Sequence, residues 1–339
     1  EALDGSYQKA SVHASEIHLA DTFTPAYSMG DRTRSFLKVQ DGCDYKCTFC
    51  TIPKARGQSR SAEIKDVLEQ ARQIGQAGVK EIVLTGVNIG DFGKGTQVIE
   101  GTRQKKEALF IDLIRELDKV EEISRFRISS IEPNLCTEEI IDFVASSDRF
   151  MPHFHMPLQS GNNEILRLMR RRYLRELYSS RVEEIRKRMP HACIGVDVIT
   201  GFPGESDAHF MDTFHFLEDL EINYIHSFSY SEREDTTASI MPDVVPVSVR
   251  KERSNILRNL SAKKKSQHYQ KHIGENRKVL FEKGPDEKYL SGFTDNYIRI
   301  MLKASASQVN TIQQVELQQM ISLKGESFIQ GSLCGVFST

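Results

Sequence analysis

From about residue 34 to residue 230 the chain repeats one alternation six times: a short run of β-branched or aromatic residues, a turn, then apolar residues at helical spacing. Phe36-Leu37-Lys38-Val39, Ile82-Val83-Leu84, Phe126-Arg127-Ile128, Phe154-His155-Met156, Ile194 to Ile199 and Tyr224 to Tyr230 read as strands. Ile64, Val67, Leu68, Ala71 and Ile74 mark the first helix between them, and Leu109, Leu113, Leu117 and Val120 the second. Ile140, Ile141 and Val144 mark a third. A helical stretch starts at Ile165, Leu168 and Met169 and resumes through Val182 and Ile185. Phe210, Phe214, Leu217 and Leu220 mark the next, and a long helix follows from about Ser248 to about Lys271. Strand-then-helix units in series predict an α/β fold, a parallel sheet with helices outside. Six units are fewer than the eight of a closed barrel, so the expectation is an open or partial (β/α)6 barrel with its chemistry at the C-terminal ends of the strands. After about residue 272 the helical period stops. Five short strands follow, around Val279, Tyr289, Tyr297, Val315 and Phe328, and they suggest a small β-barrel. The expected divisions are 1–33, without sustained period, then 34–272 and 273–339.

The 339 residues suit about two domains, with 39% hydrophobic and 27% charged residues, an ordinary globular balance. No apolar run approaches the ~20 residues of a membrane span, and nothing reads as a signal peptide. Six cysteines in so long a chain are too sparse for a secreted disulfide scaffold, so a cytoplasmic, reducing setting is expected. Net charge is −2, so any nucleic-acid footprint must be local. One candidate exists. From Lys251 to Lys283 there are ten Lys or Arg against three Glu. That run is either a phosphate-binding patch or a solvated helix face. Phe293 and Tyr297 either stack on unpaired bases or belong to a barrel core.

Three cysteines crowd into eight residues, Cys43-x-x-x-Cys47-x-x-Cys50, directly after the first strand. Thiolates suit zinc, copper or iron–sulfur clusters. Structural zinc wants four ligands, and no close fourth is present: His13, His18, His153 and His155 all lack knuckle spacing. Three cysteines on one loop can hold three irons of a 4Fe–4S cube and leave the fourth open to a small molecule. With the aromatic Phe49 before the last cysteine, the pattern resembles the signature of the radical S-adenosylmethionine (SAM) superfamily. Further runs resemble its methylthiotransferase family: Gln40-Asp41-Gly42-Cys43, Leu84-Thr85-Gly86-Val87-Asn88, Ser129-Ser130-Ile131-Glu132-Pro133, His155-Met156-Pro157-Leu158-Gln159-Ser160-Gly161-Asn162, Met169-Arg170-Arg171-Arg172-Tyr173, Asp197 through Glu205, and Tyr230-Ser231-Glu232-Arg233. The Gln-Asp-Gly-Cys start and the Ser-Ser-Ile-Glu-Pro-Asn run lean toward the tRNA N6-threonylcarbamoyladenosine methylthiotransferases. The terminal β-domain resembles a TRAM domain, that family's RNA-binding module.

The resemblance implies Cys43, Cys47 and Cys50 as cluster ligands, and a 4Fe–4S cluster with SAM as cofactors. It implies a 5′-deoxyadenosyl radical that takes hydrogen from C2 of the adenine beside the anticodon, where a methylthio group is then installed. Implied partners are the tRNA anticodon stem-loop and an electron donor such as flavodoxin or ferredoxin, with no membrane; a monomer is expected. Gly86 would bring bare backbone close to the methionine end of SAM, or simply form a turn. Glu132 would accept from the SAM amine or ribose, or be a surface carboxylate. Gln159 and Ser160 would bind ribose or substrate, or cap the helix near Asn162. Arg171 would answer the SAM carboxylate with its fork, or lie on a solvated face. Gly201-Phe202-Pro203-Gly204 would wall the adenine. Asp197 and Tyr230 point into the barrel mouth if strand alternation holds, or Asp197 is a core acid. His153 and His155 read as structural, and Cys136, Cys193 and Cys334 as packed small apolar groups. Sister readings keep the chemistry on a prenylated tRNA adenosine or a ribosomal-protein aspartate. A reading from another class is a non-catalytic RNA-binding protein with a structural metal.

Two departures from the family stand out. Relatives carry three more cysteines in an N-terminal domain, for a second 4Fe–4S cluster, and none precedes Cys43 here. The chain also opens on Glu1. The expectation is a piece of a longer product that cleaves SAM but does not insert sulfur. At Glu234-Asp235-Thr236, Asp235 stands where relatives usually have glycine, which makes a left-handed backbone less comfortable.

Overall fold

A computed structural model describes residues 22–28, 33–94, 96–99, 102–105, 108–286, 288–323 and 325–334. His13, His18 and most of the 1–33 stretch lie outside the described residues. Strands β1 (Arg34–Lys38), β2 (Glu81–Thr85) and β3 (Arg125–Ile128) pair in parallel in that order. Strands β4 (His153–Gln159), β5 (Cys193–Thr200) and β6 (Tyr224–Ser229) do the same. The six strands do not form one continuous ladder as expected. Among the described residues, the backbone links between β3 and β4 are a single bridge, Phe126 with Phe150, and the bond from Ile131 N to His155 O (2.9 Å). The His153 amide turns back onto Met151 O at 2.7 Å instead of reaching β3, and the sheet splits there.

Each crossover helix buries one stripe on the sheet and leaves the other face wet. Helix α1 (Ile64–Gln76) buries Val67, Ala71 and Ile74, and α2 (Phe110–Leu117) buries Phe110, Leu113, Ile114 and Leu117. Helix α3 (Glu138–Ser146) starts where Thr137 Oγ1 accepts from Ile140 N, and it buries Ile140, Ile141 and Val144. The stretch that starts at Ile165 and resumes through Ile185 is two helices, Asn163–Leu168 and α4 (Arg175–Arg188). Arg170 at φ +55° breaks them apart, and this break carries Arg171 inward. Helix α5 (Asp207–Asp219) is capped by Ser206, and α6 (Val247–Lys271) packs Leu257 and Leu260 into the shared core. Among the described residues no helix is long and apolar enough to cross a membrane.

Strands β7 (Asn276–Asp286), β8 (Tyr289–Thr294), β9 (Arg299–Lys303), β10 (Ile312–Leu323) and β11 (Glu326–Leu333) close into a barrel in the order β7-β8-β9-β11-β10. Val279, Phe281, Ile300, Val315 and Ile329 fill it. This barrel sits against the N-terminal ends of the parallel strands. Arg34 Nε bonds Glu282 (2.9 Å), Arg125 Nη2 donates to Lys278 O (2.8 Å), and Asn310 Nδ2 donates to Gly78 O (2.9 Å). The buried Arg127 pairs with Glu81 at 3.1 Å and also donates to Asp295 O at 3.2 Å.

The two rings expected to stack on bases are used in this seam instead. Tyr297 stacks on His153 at 4.2 Å and on Phe293 at 4.8 Å, while Arg127 and Arg34 lie over Tyr297 and Phe293 at 5.0 and 4.7 Å. Packing against cationic and aromatic neighbours outweighs leaving these rings free for solvent or ligand. The basic run is likewise partly spent inside. Arg253 bonds Glu205 (2.6 Å), Lys264 donates to Leu220 O (2.7 Å), and Arg277 pairs with Asp295 (3.0 Å). Lys251, Arg258, Lys263, Lys271, Lys278 and Lys283 stay exposed. Cys136 and Cys193 are buried as expected, but Cys334 is exposed and its thiol donates to Asn276 Oδ1 at 3.3 Å. Asp235 does take the left-handed backbone, at φ +59°, and its carbonyl accepts from Lys54 Nζ.

Candidate active site

The cysteine loop begins where β1 ends, and its base is clamped before the first thiol. Gln40-Asp41 pairs antiparallel with Arg60-Ser61. The fully buried Gln40 amide donates to Asp41 O, Gly42 O and Ser59 Oγ, and its oxygen accepts from Asn88 N at 2.7 Å. One side chain thus fastens the loop after β1 to the loop after β2. Gly42 sits at φ +69°, where a Cβ would stand 1.9 Å from Gln58 O, so the turn into Cys43 admits only glycine.

Cys43, Cys47 and Cys50 are all partly exposed, and each sulfur has an N–H aimed at it: Tyr45 N to Cys43 (3.4 Å), Arg171 Nη1 to Cys47 (3.1 Å) and Ile52 N to Cys50 (3.4 Å). Burial pushes the Cys43 thiol up to about 11 and raises Cys47 too, against the pull of Arg171. Burial thus favours the protonated form of Cys43 and Cys47, and a bound cation must displace those protons. One ion holding three thiolates at ~2.3 Å brings the sulfurs to within about 4 Å of each other. Among the described residues the cysteines do not form such a group: the one set of three donors within 4.8 Å is His155, Asp197 and His226. A wider cube, with one iron per sulfur, suits this loop better than a single ion.

Behind the loop, Arg171 is almost wholly buried. Its Nη2 bonds the Glu132 carboxylate, Nε donates to Tyr173 Oη (3.1 Å), and Nη1 reaches Cys47. The solvated-face reading of Arg171 therefore fails, as does the surface reading of Glu132, whose carboxyl is raised by burial in spite of Arg171. A third wall is apolar. Phe49 meets Phe202 edge-on at 6.3 Å, and Phe202 meets Tyr230 at 5.5 Å, over Ile165, Met169 and Ala238. The Tyr230 hydroxyl is buried without a hydrogen-bond partner, as are the side-chain oxygens of Asn88 and Asn134. Orphaned polar atoms at the strand ends fit a polar ligand that completes them.

A model of the radical SAM superfamily matches residues 37–217. The chain belongs to the radical SAM superfamily. That superfamily's cofactors are a 4Fe–4S cluster and SAM, and the three thiols with the orphaned polar atoms beside them suit both. The chain is 38% identical over 298 residues to the threonylcarbamoyladenosine tRNA methylthiotransferase MtaB of Bacillus subtilis, covering 86% of this chain and 64% of that protein. It is 33% identical over 306 residues to the tRNA-2-methylthio-N(6)-dimethylallyladenosine synthase of Staphylococcus aureus, covering 88% and 57%. The chain thus spans about three-fifths of the length of these curated relatives. Among solved structures, the radical SAM methyltransferase TsrM from Kitasatospora setae covers 60% of this chain and 38% of its own, at TM-score 0.49 and 17% identity.

The remaining sequence candidates of this radical SAM chain divide. Gly201 (φ +73°) donates to Glu205 Oε1 at 2.8 Å, and a Cβ there would stand 2.2 Å from Arg250 Cγ; Pro203 beside it is buried. Gly86 faces Gln40, whose Cβ lies 3.0 Å from where a Gly86 Cβ would stand. Gln159 ends β4 at φ +69°. Ser160 turns the other way: fully buried, it lies 3.2 Å from Thr213 Oγ1 of α5. The helix cap is neither of these but Asn162, whose Oδ1 accepts from Glu164 N and Ile165 N. His153 lies in the seam at Tyr224 Oη (2.9 Å), and His155 and Asp197 face each other in the lumen at 2.9 Å. Sequence reasoning gave no role to Gln40, Asn88 or Tyr173. An amide directly before the Asp-Gly turn, and a second one two residues after Gly86, were the available signals.

Proposed function

We propose that this chain carries the radical-generating part of a tRNA methylthiotransferase that modifies C2 of N6-threonylcarbamoyladenosine next to the anticodon. The observation that supports it is the convergence of three thiols with Arg171, which bonds both Cys47 and Glu132, at the C-terminal mouth of the half-barrel. Cys43, Cys47 and Cys50 would hold a 4Fe–4S cluster, which would supply the electron for reductive cleavage of SAM. Arg171 offsets thiolate charge and opposes the burial that raises the Glu132 carboxyl, holding Glu132 in place to accept from a SAM amine. Phe49, Phe202 and Tyr230 shield the adenine side from water, and the free Tyr230 hydroxyl is left for a ligand. Residues 34–272 form the catalytic unit and 273–339 the RNA-binding unit, with Lys271, Lys278 and Lys283 as exposed phosphate contacts. A reduced flavodoxin or ferredoxin in the cytoplasm is the fitting electron source, and a monomer suffices.

The choice of nucleoside rests on the 38% identity to the threonylcarbamoyladenosine enzyme against 33% to the dimethylallyladenosine one. The test is 5′-deoxyadenosine release from reduced, reconstituted protein with SAM and tRNA bearing either nucleoside. Release above the tRNA-free rate with threonylcarbamoyladenosine tRNA alone is expected. Stimulation only by prenylated tRNA moves the target, and no stimulation by either removes tRNA as substrate.

A further inference from the structure

Apart from the cysteines, the inner faces of β4, β5 and β6 carry a second constellation. His155, Asp197 and His226 each bring one donor atom to within 4.8 Å of the others. The sheet register puts them there. Asp197 lies opposite His226, and His155 lies opposite Gly195, two residues before Asp197. With a side-chain period of two, all three emerge on the lumen side. We propose that His155, Asp197 and His226 form a binding site for one divalent first-row transition ion, iron(II) or zinc, separate from the cysteine loop.

The distances fit. Donors held at ~2.1 Å by one ion, at angles between 90° and the tetrahedral value, stand about 3.0–3.4 Å apart. His155 Nε2 is 2.9 Å and His226 Nδ1 is 3.3 Å from the same oxygen, Asp197 Oδ1. The protonation states fit as well. Burial works against the Asp197 charge, but the two imidazoles bonded to it outweigh burial and bring its carboxyl to about 2. A carboxylate therefore faces both rings at neutral pH. His155 Nδ1 lies 3.2 Å from Ser130 Oγ. A hydroxyl either donates or accepts, so it can take the Nδ1 proton's bond while Nε2 turns its lone pair to an ion. Metal-bound histidines usually have such an outer partner.

The site is also open. The His226 side chain is 54% exposed, so an ion has a way in from the lumen. Two imidazoles and one carboxylate leave coordination positions free for water or a ligand oxygen. No thiol takes part, so this harder donor set and the soft cysteine set would not compete for the same iron species. His155 meets Ser130, two residues before Glu132, so the two sites share one lumen.

Cobalt(II) alone is the probe, titrated into protein carrying Cys43→Ala, Cys47→Ala and Cys50→Ala. One equivalent should bind with visible d–d absorption and without sulfur-to-metal charge transfer. Asp197→Asn or His226→Ala should weaken it by about 100-fold, and Ser130→Ala by about tenfold. No binding, or binding indifferent to Asp197→Asn and His226→Ala, overturns the site. If the triple variant does not fold, the reconstituted wild-type chain answers instead. Iron plus zinc in excess of sulfide by one atom, lost in Asp197→Asn, supports the site; iron plus zinc equal to sulfide in both proteins overturns it.

Discussion

The half-barrel has two mouths, and they are built on opposite principles. At the N-terminal mouth the charges pair across the seam, though His153 Nδ1, Asp295 Oδ1 and Asn310 Oδ1 have no hydrogen-bond partner. Arg127 and Glu81 pair in the dark, Arg34 and Arg125 reach across to the β-barrel, and Tyr297 fills the gap on His153. At the C-terminal mouth three thiols stand partly exposed, and Tyr230, Asn88 and Asn134 keep buried oxygens without partners. The first mouth is covered by the chain's own β-barrel. The second gathers three thiols beside its orphaned oxygens, as a cofactor site would. A folded domain covers one end of the lumen, and the thiols lie at the other.

Changes at each mouth should therefore fail differently. Cys43→Ala should have the largest effect, reducing cluster content and SAM cleavage to background while the thermal transition of the apoprotein stays nearly unchanged; iron and sulfide assays with calorimetry check both halves. Arg127→Met should do the reverse. It leaves Glu81 buried and unpaired, at a cost of about 3–5 kcal/mol in denaturant unfolding. Whatever fraction still folds should assemble the cluster. Arg171→Lys keeps a charge but loses the fork that joins Cys47, Glu132 and Tyr173. At about 2 kcal/mol for a buried charge-assisted bond, SAM cleavage should fall roughly 30-fold. Tyr297→Leu should cost about 1 kcal/mol of stability through the lost stack and cation–π contact, with tRNA affinity unchanged. If instead tRNA binding weakens by about 1–3 kcal/mol with stability intact, the ring is a base platform and the two-mouth contrast breaks. Asp235→Gly should be the smallest, a gain of about 0.5 kcal/mol from relieving the left-handed backbone at φ +59°.

What the sequence made legible is local. Strand and helix periods placed six parallel strands and five barrel strands, because burying one face leaves its mark every second or every 3.6 residues. The cysteine spacing announced its loop, and Asp235 in a glycine's place announced its strained turn. Contacts across the fold leave no such mark. Arg171 meets Cys47 across 124 positions, and Arg127 meets Glu81 across 46. Nothing in the run Arg170-Arg171-Arg172 says that the middle one turns inward; the φ of +55° at Arg170 decides it. Phe293 and Tyr297 look alike as core rings or base platforms until a second domain edge appears beside them. Ser160 and Asn162 exchange roles for the same reason, since Thr213 on α5 takes the serine hydroxyl.

The most direct test of the central claim, that the open mouth is a cluster and SAM site, is an electron paramagnetic resonance spectrum. It should be recorded on reduced, anaerobically reconstituted protein before and after SAM, with iron and sulfide counted on the same sample. A 4Fe–4S signal that shifts when SAM is added, and that vanishes in Cys47→Ala, is the predicted result. Zinc without sulfide, or a cluster whose signal ignores SAM, would contradict it.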